Sequence, residues 1–108
     1  MGRSEFESAA LSVIDAKLAE LRKLSLAEAA DLSGAFLEDI VVGDKEVQLT
    51  IFRQQGVPDF PDAVLVTVQL ARAGLGGVIN FQKERALVFQ ANGEIREATE
   101  GELLATGG

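Results

Sequence analysis

The chain contains no cysteine, histidine, tyrosine or tryptophan, and each absence removes a class of function. Without cysteine there is no disulfide framework and no thiol nucleophile. Without histidine as well, Ser-His-Asp and Cys-His catalytic sites cannot be assembled from this chain alone, nor can a zinc site built on those ligands. No apolar run approaches the length of a membrane-spanning helix. The opening Met-Gly-Arg-Ser-Glu-Phe has no apolar leader, and Phe6 stands where a myristoylation signal carries Ser or Thr. The expected compartment is the cytoplasm.

Positive charge is also scarce, with 10 basic residues against 17 acidic ones and a net charge of −7. The bases never cluster beyond Arg22-Lys23. A phosphate backbone needs a basic face that releases counterions, so no nucleic-acid partner is expected, and an anionic membrane surface is disfavoured for the same reason. If this charge recruits a partner by steering, the partner is a basic protein.

What remains is an ordinary globular composition, with 47% hydrophobic and 25% charged residues over a length of 108. That is enough apolar surface for one core and too short a chain for two. A single domain over residues 1–108 is therefore expected.

Periodicity divides the chain. From Ser4 to Leu24, Phe6, Ala10, Val13, Ile14, Leu18 and Leu21 trace one face of a 3.6-residue repeat, which predicts an amphipathic helix opened by a Ser4/Glu7 capping box. Ser25 with Glu28 predicts a second short helix from Leu26 to about Leu32, ended by Gly34, and Thr99 with Glu102 a last helical turn through Leu103 and Leu104. Between them the period falls to two. Strands are expected at Ala35–Val42, Glu46–Gln54, Ala63–Arg72, Val78–Gln82, Arg85–Ala91 and Glu94–Arg96. Gly43-Asp44 and Asn92-Gly93 suit two-residue hairpins, Gly74, Gly76 and Gly77 suit a further turn, and residues 56–62, with both prolines, read as the one longer loop. Such short links join antiparallel neighbours. The expected fold is α+β: an N-terminal helix or helix pair packed on one face of an antiparallel meander of four to six strands, with a short C-terminal helical turn.

The alternation assigns Val47, Leu49, Ile51, Val64, Val66, Val68, Leu70, Leu87 and Phe89 to the helix-covered face. The opposite positions, Gln48, Thr50, Phe52, Leu65, Thr67, Gln69, Ala71, Val88 and Gln90, are uncharged through mid-strand, where solvated strands usually carry Lys, Glu or Arg. A one-residue slip would exchange the two faces. Such a face reads as exposed strand chemistry, as a self-association surface, or as a ligand wall. Gln48, Thr50, Phe52, Leu65, Thr67, Gln69 and Val88 are the interface candidates.

No residue pattern identifies a catalytic centre. Glu38-Asp39 and Asp59/Asp62 are the candidate carboxylate pairs, and both have ordinary strand and turn explanations. No metal-binding pattern is present, and no cofactor is expected. The leading expectation is a non-enzymatic interaction protein that forms a homodimer through its uncharged sheet face. The alternative is a small-molecule binder or minimal enzyme with a pocket between helices and sheet, using Arg53, Gln69 and Asn80 as polar contacts.

Overall fold

A computed structural model describes residues 3–32, 34–73 and 79–105. Helix α1 spans Arg3–Leu21 and α2 Leu26–Ala30; strands β1 to β5 follow at Ala35–Val42, Lys45–Val57, Phe60–Ala73, Ile79–Phe89 and Ile95–Glu97; α3 spans Glu100–Ala105. The five strands form one antiparallel sheet in the order β1-β2-β3-β4-β5. The fold is the expected α+β meander with a helix on one face.

The periodic stripe on α1 lands where a 3.6-residue repeat must put it. Phe6, Ala10, Ile14, Leu18 and Leu21 are buried against Val47, Leu49, Val64, Val66, Val68, Leu70, Leu87 and Phe89, with Val13 and Ile51 partly buried beside them. Every large side chain fully sequestered there contributes roughly 1.5–3 kcal/mol, which makes this layer the main source of stability. Phe6 meets Phe81 edge-on at a centroid distance of 4.8 Å. Arg85 adds a polar tie, pairing with Asp15 of α1 and with Glu97 of β5.

The local signals for α2 and α3 hold at atomic detail. Ser25 accepts from the Glu28 amide at 3.1 Å, and the Glu28 carboxylate accepts from the Ser25 amide at 3.0 Å. At α3 the reciprocal bonds between Thr99 and Glu102 are 3.2 and 3.0 Å. Helix α1, by contrast, begins at Arg3 and ends at Leu21, so Ser4 lies inside its first turn rather than ahead of it.

Three connections differ from expectation. The long loop at 56–62 is instead a tight turn at Pro58-Asp59, because β2 runs on to Val57 and β3 starts at Phe60. Pro58 and a positive-φ Asp59 (φ 69) suit the two central positions of that turn. The irregularity is absorbed by a bulge between Gln55 and Val57. There Gly56 adopts φ 84, and the Gln55 amide donates to the carbonyls of Pro61 and Ala63 at 3.1 and 3.2 Å. A Cβ on Gly56 would lie 3.3 Å from the Pro61 carbonyl oxygen, so the positive φ favours glycine and the tight space adds to that preference.

The two strands expected at 78–82 and 85–91 are one, β4, which continues through Lys83 and Glu84 because the long β3 supplies partners at Leu70 and Gln69. At the last hairpin Gln90 rather than Ala91 faces Glu94, with only Gly93 at positive φ. The loop is therefore the three residues Ala91, Asn92 and Gly93. Asn92 Oδ1 accepts from the Glu94 amide at 2.9 Å. The turn expected at Gly74, Gly76 and Gly77 lies outside the described residues.

A candidate interaction surface

Register sets the chemistry of the second sheet face. Across the strands it reads Ala35, Phe52, Thr67 and Ala86 in one row, and Leu37, Thr50, Gln69 and Glu84 in the next. Asp39, Gln48, Ala71 and Gln82 follow on one side. On the other come Gln54, Leu65, Val88 and Arg96. Alternation through antiparallel pairs forces these side chains to one side. The interface candidates therefore share a face, as the pattern requires.

That face has two unlike halves. Toward β5, Val57, Ala63, Leu65, Ala86 and Val88 form a second small core against which Ala98 and Leu103 pack. Helix α3 is clamped over it. Arg96 donates to both carboxylate oxygens of Glu102 at 2.6 and 2.7 Å and lies 5.7 Å from the Phe60 ring centroid. The bidentate pair, with the Thr99 amide and hydroxyl assisting, holds the Glu102 carboxyl down to about 2. The short helix, whose described apolar anchor is Leu103, is also secured by capping and an ion pair.

Toward β1 the face is open to solvent. Leu37 is 58% exposed, Val41 65% and Phe52 37%. Leu37 and Phe52 are diagonal neighbours across β1 and β2, close enough to form one apolar patch. Gln48 is exposed and Gln69 half-buried beside them. Thr50 and Thr67 are only 4% and 3% exposed. They are short residues in central strands, flanked on the face by the longer Leu37, Gln48, Phe52 and Gln69.

Thr50, Thr67, Leu65 and Val88 thus lie within the protomer's own packing, while Gln48, Phe52 and Gln69 reach the surface. Leu37 and Val41 were missed by sequence reasoning. The available signal was that β1, Ala-Phe-Leu-Glu-Asp-Ile-Val-Val, is apolar on both alternations. The face is also not free of charge: Glu84 enters it from β4 and accepts a long 3.4 Å hydrogen bond from the Gln69 amide.

The three ligand-contact candidates do not converge. Arg53 lies on the helix-covered side opposite Val66 and donates from Nε to the Leu32 carbonyl at 2.8 Å. It serves the chain segment leaving α2. Gln69 lies on the other face of the sheet. Asn80 belongs to β4, and its side chain lies outside the described residues. A cleft of about 290 Å³ opens at the end of the sheet, lined by Asp59, Phe60, Pro61, Asp62, Gln90 and Asn92, away from both Arg53 and Gln69. The two aspartates serve the turn and cleft rim, and Glu38 and Asp39 are directed to opposite faces by alternation.

Among the described residues no three or more acidic side chains are grouped to hold a metal ion, and no helix is long and apolar enough to cross a membrane. Comparison with protein-family models, with curated proteins and with solved structures returned no match.

Proposed function

We propose that the chain is an interaction protein whose second sheet face, in its open half, packs against the same face of a second copy. The observation that supports this reading is the exposed Leu37–Phe52 patch, bordered by the uncharged Gln48 and Gln69 and with exposed Val41 beyond Asp39 on β1, on a sheet half that none of the described helices covers. A self-complementary contact about a two-fold axis is the simplest closed assembly for such a patch. Strands of about 25 Å across three neighbours offer on the order of 350 Å² in projection, more in accessible surface, which suits a modest interface. Asp39 lies between Leu37 and Val41, Glu46 sits opposite Val41, and Glu84 marks the far side, so a contact centred on Leu37 and Phe52 leaves these acids at its rim.

Sedimentation equilibrium over a concentration series tests the reading. The expected result is a mass rising from one chain to two. Phe52→Lys or Leu37→Lys shifts it back to one chain while far-ultraviolet circular dichroism is unchanged. These positions are better probes than Thr67, where a lysine would be buried inside the protomer and unfold it. A wild-type mass that stays at one chain up to millimolar concentration overturns the dimer.

A further inference from the structure

The sheet order leaves two edges, β1 and β5. Strand β5 is three residues long and leads directly into α3. Strand β1 pairs with β2 over eight residues, Ala35 to Val42, without a register shift, and no described strand pairs with its other side. It carries none of the proline, lysine or bulge devices that commonly spoil an edge for further pairing. Phe36 and Leu37 are 50% and 58% exposed. Backbone donors and acceptors on that side face outward in strand geometry.

The charge of this edge decides what can pair with it. Glu38 and Asp39 occupy its middle, one on each face, both exposed and in no ion pair among the described residues. Opposed residues of an antiparallel pair share a face, so joining two copies at this edge about the strand centre sets Glu38 against Glu38 or Asp39 against Asp39, and moving one register further makes the acids diagonal neighbours. Like charges directly opposite destabilise a ladder. The edge therefore opposes a second copy and favours a strand with positive side chains at its centre.

We propose that the outer edge of β1 docks an extended basic segment of another protein, which adds as a further antiparallel strand and sets lysine or arginine side chains beside Glu38 and Asp39. Backbone hydrogen bonds hold the segment, Phe36 and Leu37 receive its apolar residues on either face, and the two carboxylates choose its charge. This site shares Leu37 with the dimer face, but it rests on backbone pairing at the β1 edge and on Glu38 and Asp39, which the dimer does not use for pairing, so the two can fail separately.

The test uses the full chain and an eight-residue peptide of alternating valine and threonine with two adjacent central lysines. Binding is followed by fluorescence anisotropy and by backbone amide shifts. The expected result is saturable binding at low salt with shifts concentrated at 35–42, weakened by added salt and at least about tenfold weaker for a peptide with glutamates replacing the lysines. N-methylation of alternate peptide amides on the pairing side abolishes it. The double variant Glu38→Gln, Asp39→Asn keeps the fold and loses the lysine preference. Equal affinity for the lysine and glutamate peptides, no binding of the lysine peptide, or shifts confined to Gln48, Phe52 and Gln69 would overturn the proposal.

Discussion

At the β5 edge three residues pair with β4 and the chain then folds back as α3 over the neighbouring apolar side chains, whereas at the β1 edge eight residues pair with β2 and two acids stand in the middle. The first edge is short and followed by a covering element. The second is long, continuous and charged. Cover contributes to stability because it buries Leu65, Ala86 and Val88; charge contributes selectivity, since it costs little in water and penalises a like-charged neighbour. The same sheet thus invests one margin in folding and leaves the other for contact.

The widest separation between the two margins is expected from truncation. Leu65→Ala removes a fully buried side chain beneath α3 and lowers unfolding free energy by about 2–5 kcal/mol in chemical denaturation, while Leu37→Ala at the open margin changes it by less than about 0.5 kcal/mol. Comparable losses at both positions would erase the distinction. Glu102→Ala removes the α3 cap and the Arg96 pair together. It is expected to cost about 1–3 kcal/mol, with hydrogen-exchange protection falling at Ile95–Glu97 and unchanged at β1.

Acid separates the margins in a third way. The Glu102 carboxyl is lowered from its ordinary 4.5 to about 2, chiefly by the Arg96 hydrogen bonds. A depressed carboxylate stabilises the fold fully above its unfolded pKa, and that stabilisation is lost as pH falls from about 4.5 toward about 2. Glu97, lowered chiefly by its hydrogen bond to Arg85, acts in the same direction. Urea denaturation at stepped pH should show this loss in the wild type and a flatter dependence in Glu102→Gln. The smallest effect is expected for Asp15→Asn, which breaks the exposed tie between α1 and Arg85 and costs at most about 1 kcal/mol by the same denaturation assay.

Much of this architecture is legible in the sequence. The α1 stripe and the alternation in β2, β3 and β4 named the main core because burial follows period, and both short helices announced themselves through side chains that bond their own backbone. The turns were less legible. Pro58-Asp59 reads as part of a loop until β2 and β3 are seen to pair almost to its ends, and Lys83-Glu84 reads as a break until β3 holds it in the ladder. The candidate surface was legible as a face but not as a location on it. Alternation tells which side Thr50, Thr67 and Phe52 share, whereas exposure depends on side-chain length, on neighbours in other strands and on where α3 docks.

The sequence by itself determined the α+β class, the two faces and the short supply of catalytic chemistry, because periodicity and composition are properties of the chain alone. Only tertiary structure decided that Arg53 and Gln69 are parted by the sheet, that Leu65 and Val88 are buried while Leu37 and Phe52 are exposed, and that β1 is the long edge beyond which no described strand lies. Those facts rest on which strand lies beside which and what packs above it. Contacts between residues far apart in the chain are fixed by the folded whole, and no local pattern carries them.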